Sequence, residues 1–262
     1  MFSKLKFCVN LTILFQEVPF LERFEYAAKA GFKDVEFLFP YKEGIDDIYS
    51  RITDSGLNIV LFDVPPGDIQ AGEFGTLCLP HRKEYFHSSF ELALSALERL
   101  NCKRLNVLFG NKNSQFSAET QMDCALENLQ WTLPLAEQAG VTLLLEPLSK
   151  AVAPECMLQN TKTAMQIIET LNHPSLKLQY DLFHAQLNEG NLLNTIRNNF
   201  SQIGHIQIAD APERHEPGTG EINYKNIFTK LVELNYNGFI GLEYIPRTNS
   251  LESFAWLRNQ IK

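Results

Sequence analysis

Phe239-Ile240-Gly241-Leu242-Glu243-Tyr244-Ile245-Pro246 is a short apolar run that closes on one carboxylate, with a proline just beyond it. Three earlier runs are built alike. Val141-Thr142-Leu143-Leu144-Leu145-Glu146-Pro147 ends in a glutamate, and Leu176-Lys177-Leu178-Gln179-Tyr180-Asp181 in an aspartate. His205-Ile206-Gln207-Ile208-Ala209-Asp210 carries Gln207 where the others carry acids. A single strand-end acid is ordinarily a solvated rim residue, and proline commonly ends strands. Four apolar strands in succession, each delivering a side-chain oxygen at its C-terminal end, point instead to one shared site at the mouth of a parallel barrel.

Outward from these runs, the same alternation covers the whole chain. Strand-like segments fall at 5–10, 35–40, 58–62 and 104–109, then at 141–146, 176–181, 203–209 and 238–243. Helical spacing follows each of them, as in Leu21, Phe24, Ala27 and Ala28 ahead of Gly31. Strands alternating with helices at this spacing argue for parallel βαβ units. Eight such units in 262 residues fit a (β/α)8 TIM barrel, one domain over 1–262. An open doubly wound sheet is the competing arrangement, but no GxGxxG follows the first strand. The irregular stretch from Asp63 to Arg82 is long for a compact domain and reads as a functional loop.

Composition narrows the partners. The chain is 45% hydrophobic and carries a formal net charge of −8 without a Lys/Arg run, so it lacks the basic surface that nucleic acid selects. No apolar run approaches the roughly 20 residues that a membrane helix needs. Lys4 and Lys6 precede an apolar stretch, but Asn10 and Thr12 interrupt it and no small-residue cleavage site follows. The cysteines (Cys8, Cys78, Cys102, Cys124, Cys156) are odd in number without CxxC spacing, and read as reduced thiols of a cytoplasmic protein. An assembly of identical copies is compatible with the sequence.

Glu146, Asp181, Gln207 and Glu243 converge at the active face of such a barrel. Carboxylates gathered in a poorly solvated mouth repel one another, and a divalent cation removes that cost. Three carboxylates and one amide oxygen are hard ligands, suited to Mg2+ or Mn2+ rather than zinc. His184, on the loop expected after Asp181, is a candidate substrate contact. Arg82 and Arg214 are candidate partners for a small anionic substrate, since arginine grips a carboxylate through paired hydrogen bonds. His205 reads as a barrel-interior residue, and His81, His87 and His173 as surface or loop positions.

At this point the chain resembles a known family. Asn10-Leu11-Thr12-Ile13-Leu14-Phe15, Val35-Glu36-Phe37-Leu38-Phe39-Pro40-Tyr41, Tyr180-Asp181-Leu182-Phe183-His184 and Gly218-Thr219-Gly220-Glu221-Ile222-Asn223-Tyr224 look like hydroxypyruvate isomerase. Glu17-Val18-Pro19-Phe20, Gly67-Asp68-Ile69-Gln70-Ala71-Gly72-Glu73 and Arg214-His215-Glu216-Pro217 look closest to the 2-oxo-tetronate isomerase branch. The resemblance implies an isomerase that interconverts a 2-oxo-3-hydroxy acid and its 3-oxo partner, hydroxypyruvate and tartronate semialdehyde or a four-carbon analogue. It places the acid/base pair on Glu146 and Glu243. In the wider group of xylose-isomerase-like barrels the third metal ligand is usually histidine; Gln207 stands there, which implies a loosely held metal. Asp63 stands where members usually carry asparagine, and His81 where glycine is common before the loop arginine. The rival readings are a ketose 3-epimerase on the same barrel, a zinc-dependent apurinic endonuclease and a non-catalytic sugar-acid binding protein.

Overall fold

In a computed structural model, which describes residues 2–261, eight parallel strands close into one barrel in sequence order. They are β1 (Lys6–Asn10), β2 (Asp34–Glu36), β3 (Asn58–Asp63), β4 (Arg104–Asn106), β5 (Thr142–Leu145), β6 (Leu176–Asp181), β7 (Ile203–Ile208) and β8 (Phe239–Leu242). Closure comes from β8 pairing with β1, Cys8 opposite Gly241. Met1 and Lys262, the ends of the expected domain, lie outside the described residues.

Helices cover the outside: α1 (Phe20–Lys29), α2 (Ile45–Ser55), α3 (Lys83–Leu100), α4 (Ala118–Ala139), α5 (Thr161–Leu171), α6 (Leu182–Asn188), α7 (Leu192–Asn199), α8 (Tyr224–Glu233), α9 (Ser250–Ser253) and α10 (Ala255–Ile261). Their boundaries follow local chemistry. Ser117 and Asn160 accept from the amides of Thr120 and Thr163 and so start α4 and α5. Gly140, at φ +64°, stops α4 in the left-handed conformation that glycine adopts without strain. Outward-facing strand residues such as Val35, Leu105, Leu143 and Ile206 pack under buried helix residues such as Phe24, Phe90, Leu129 and Ile168. No helix among the described residues is long and apolar enough to cross a membrane.

Inside the barrel the layers differ. A separate apolar cluster of Cys8, Val60, Leu61 and Leu144 forms the floor, packed against Phe239. Above it the interior is polar: Asn10, Glu36, Asp63, Asn106, Gln179, His205 and Gln207 are all essentially inaccessible to solvent. Glu36 is the hub. It accepts from Cys8 Sγ at 3.2 Å, Asn10 Nδ2 at 3.1 Å, Gln207 Nε2 at 2.9 Å and His205 Nε2 at 2.7 Å. Burial pushes its carboxyl up, yet His205, Gln207 and Cys8 together outweigh that and hold it below the ordinary glutamate range.

Three expectations are corrected here. β2 and β4 stop at Glu36 and Asn106, short of the expected 40 and 109. Phe109 makes only an isolated bridge to Gly75. His184 is not on a loop but in α6, which starts directly after β6 because the Asp181 carboxylate accepts from the Phe183 amide.

Gly241 makes room for the hub. A Cβ there would stand 2.6 Å from Glu36 Cδ and closer still to its oxygens. The carboxylate is fixed by its donors and cannot give way cheaply. Gly241→Ala is therefore expected to cost about 1–3 kcal/mol, the usual price of overpacking. Urea denaturation measures this; an unchanged midpoint would mean that Glu36 is not held as described.

Candidate active site

The strand-end pattern seen in the second half of the chain extends around the ring. β1 ends on Asn10, β2 on Glu36, β3 on Asp63, β4 on Asn106 and β6 on Asp181; Glu146 and Glu243 follow β5 and β8 directly. Parallel registry brings Asp63 opposite Asn106 and Asp181 opposite Gln207. A closed parallel barrel turns one polar residue per strand end into a common cavity wall.

Glu146 is buried, and its Oε2 accepts from Asn106 Nδ2 at 2.9 Å. Burial pushes its carboxyl well up, with the charges of Glu243 and Asp181 adding to the effect. Burial likewise raises Glu243, against the pull of Arg214. Asp63 is raised as well, by burial and then by the charges of Glu146 and Glu36. Asp181 uses Oδ1 to cap α6; among the described residues its buried Oδ2 accepts no hydrogen bond, nor does Glu243 Oε2.

Arg214 closes over this group. Its Nη2 lies 2.9 Å from Glu243 Oε1 and 4.0 Å from Asp181 Oδ2. His184 meets the group from α6. The Ser149 amide donates to its Nδ1 at 3.1 Å, so the neutral ring carries its proton on Nε2, 3.6 Å from Asp181 Oδ2. Burial pushes this imidazole down to about 4. It is thus a neutral donor facing the cavity.

The structure gives the other two expected residues different hydrogen-bond and ion-pair partners. Gln207 lies within β7 rather than at its end. Its Oε1 accepts from Gln179 Nε2 at 2.6 Å while its Nε2 donates to Glu36. Arg82, in the loop after β3, pairs with Glu73 at 3.2 Å and stacks on Tyr85 of α3; neither contact is with a strand-end acid. Sequence reasoning missed Glu36, Asn106 and Gln179 as site residues. Inward alternation on their strands was the available signal.

Among the described residues, Asp181 Oδ2 and Glu243 Oε2, like Asp63 Oδ1 beside them, are buried carboxylate oxygens without donors, and such oxygens are what a hard divalent cation satisfies. Ligand atoms of Glu146, Asp181 and His184 also lie within 4.8 Å of one another. His184 fits poorly as a ligand, because the Ser149 amide occupies its lone pair and leaves Nε2 protonated. Among the residues present, the carboxylates are the donors whose chemistry fits such a cation, and the second lone pair of Gln207 Oε1 is compatible with them.

A family model described as the xylose isomerase-like TIM barrel matches residues 24–260. Hydroxypyruvate isomerase of Escherichia coli is 39% identical, over 97% of this chain and 98% of its own length. The 2-oxo-tetronate isomerase of Haemophilus influenzae is 37% identical over 97% and 98%. A solved Brucella melitensis structure described as AP endonuclease, family 2, has a TM-score of 0.94 at 36% identity, covering 97% of this chain and 98% of that one.

The raised carboxyls set a pH dependence. A carboxyl raised in the folded state retains protons that the unfolded chain releases, so stability falls as pH climbs from the ordinary carboxylate range through the raised values. His184 works oppositely, but its contribution is complete above about pH 6.5, and thiols titrate only near about 8.5. Between those limits the melting temperature without divalent cation is expected to fall with pH. Millimolar Mg2+ is expected to suppress the fall. A flat or rising profile in calorimetry without the ion would contradict the raised acids.

Proposed function

We propose, for a chain that belongs to the xylose isomerase-like TIM-barrel family and is an isomerase like its curated relatives, a division of labour among the buried residues. The substrate is a small 2-oxo-3-hydroxy acid, and the product is its 3-oxo partner. The observation that carries the reading is the pair Glu146 and Glu243, both buried at the barrel mouth, each with its carboxyl pushed by burial well above the ordinary glutamate range.

One of the two glutamates takes the carbon-bound proton from C3, and a proton is returned to C2. Asn106 orients Glu146 for this through its 2.9 Å hydrogen bond. His184, with its proton on Nε2, carries the hydroxyl proton between the two substrate oxygens. Arg214 receives the substrate carboxylate. Glu146, Asp181 and Glu243, together with Gln207, would hold Mg2+ or Mn2+, which would supply Lewis acidity at the substrate. Arg82 is proposed to reach an anionic substrate only at the outer rim, through the loop after β3. The free, buried cysteines favour a reducing, cytoplasmic setting. A phosphodiester-cleaving reading, prompted by the Brucella relative, fits poorly with the net charge of −8 and with a carboxylate-lined mouth.

Proton NMR in deuterated water, with three- and four-carbon 2-oxo acids and added Mg2+ or Mn2+, tests this. The native enzyme is expected to exchange the C3 hydrogen and form the 3-oxo isomer, and not to act on neutral ketoses. Glu243→Gln is expected to keep the fold and lose about 10²–10⁴-fold in exchange rate, the usual worth of a positioned base. Full exchange in that variant removes Glu243 from the chemistry.

A further inference from the structure

Asp210 follows β7 by two residues, and the proposed chemistry gives it no part. It is nonetheless as deeply buried as Asp63. Its carboxylate is occupied by backbone amides. Oδ1 accepts from Ala211 at 3.0 Å and from Ile222 at 3.0 Å, and Oδ2 accepts from Gly218 at 2.8 Å. Hydrogen bonds from N–H groups to a carboxylate are stronger than neutral ones, and a buried donor that loses its acceptor is costly. One side chain thus ties together three points of the loop between β7 and α8.

That loop carries Arg214. The Asp210 amide donates to the His215 carbonyl at 2.7 Å and closes the turn 210–215, while the Glu221 amide donates to the Ala211 carbonyl at 3.0 Å. Gly220 lets the two arms approach, since a Cβ there would stand 2.0 Å from the Ala211 oxygen and 2.7 Å from Asp210 Oδ1. Within the turn Arg214 has φ +59°, a left-handed conformation that persists in such a residue where its surroundings impose it. The segment after β8 grips the turn from the other side. The Ile245 amide donates to the Arg214 carbonyl at 2.8 Å, and His215 Nδ1 donates to the Ile245 carbonyl at 2.7 Å. The guanidinium that reaches Glu243 at 2.9 Å is therefore mounted on a backbone held on both flanks.

We infer that Asp210 is a positioning residue for Arg214: its carboxylate gathers the amides of Ala211, Gly218 and Ile222 into one frame, and that frame sets where the guanidinium meets the substrate carboxylate. The inference rests on the role given to Arg214 under Proposed function and extends it to a residue that touches no substrate. The frame needs an acceptor at both oxygens. Asp210→Asn keeps the size, but its NH2 group must face either the Gly218 amide or those of Ala211 and Ile222, donor against donor. The charge of the substrate carboxylate does not change during the reaction. A misplaced guanidinium accordingly weakens ground state and transition state alike, which raises KM and spares kcat.

Steady-state isomerisation of the 2-oxo acid that the native enzyme turns over, with added Mg2+, reads this in a double-mutant cycle. Asp210→Asn is expected to raise KM about tenfold, the worth of roughly one hydrogen bond to a charged group, and to move kcat far less. In an Arg214→Met background the same change is expected to add nothing, because Asp210 acts through Arg214. A merely structural lesion lowers the active fraction, and with it the apparent kcat, and leaves KM alone. An unchanged KM, a loss in kcat only, or an equal rise of KM in both backgrounds overturns the inference. Should Asp210→Asn fail to fold, Gly218→Ala takes its place. Gly218 is exposed at φ +96°, so a side chain there strains the amide given to Oδ2 and leaves the carboxylate intact. It is expected to raise KM severalfold, again only where Arg214 is present, and the same three outcomes overturn the inference. A raised KM in Arg214→Met with no response to Asp210 or Gly218 sinks the positioning alone. An unchanged KM in Arg214→Met removes Arg214 as the carboxylate's partner and the inference with it, and absence of turnover by the native enzyme sinks the functional reading itself.

Discussion

Glu146, Asp181 and Glu243 stand within one buried mouth, and negative charge in such a place must be diluted, neutralised or protonated. Each neighbour of the group answers that constraint in one of these ways. Asn106 donates to Glu146, Arg214 brings positive charge to Glu243, and the α6 amide at Phe183 takes up one oxygen of Asp181. What remains, among the described residues, is Asp181 Oδ2 and Glu243 Oε2 without donors, and carboxyls raised by burial. A surface placement would have relieved the repulsion with water and left nothing poised for chemistry.

Beneath this layer the same type of side chain is treated in the opposite way. Glu36 is as deeply buried as Glu146, but it is surrounded by donors and holds its charge. That fixed acceptor gives direction to the amides above it. Glu36 demands an N–H from Gln207, which turns the Gln207 oxygen toward Gln179, and Gln179 answers with its own N–H. The orientation of Gln207 thus follows from an acceptor that cannot donate. Two glutamates in one barrel, one ionised and inert, one raised and exchangeable, differ only in what their neighbours offer.

Much of this was legible in the residues. The alternation of apolar strands and helices gave the closed parallel barrel, and the strand-end acids of β5, β6 and β8 led to the cavity. The first half of the chain was read less well, for a local reason. Phe37-Leu38-Phe39 and Val107-Leu108-Phe109 continue the apolar pattern of β2 and β4 past their last ladder residues, so Glu36 and Asn106 looked like mid-strand positions. The α6 start was hidden because an aspartate serving at once as strand end and helix cap leaves no loop to mark the boundary. Arg82 and Arg214 are indistinguishable as loop charges in sequence. Only the fold shows one bound to Glu73 and the other over Glu243.

Gly241 and Glu36 sit at opposite ends of the chain and occupy one volume. Neither position can drift alone. A larger residue at 241 evicts the carboxylate, and loss of the carboxylate strands the donors of His205 and Gln207. In a lineage of such barrels the two sites should change as a couple or not at all. A descendant bearing a bulky residue at 241 would have inherited a different interior, and with it a different means of aiming the oxygen of residue 207.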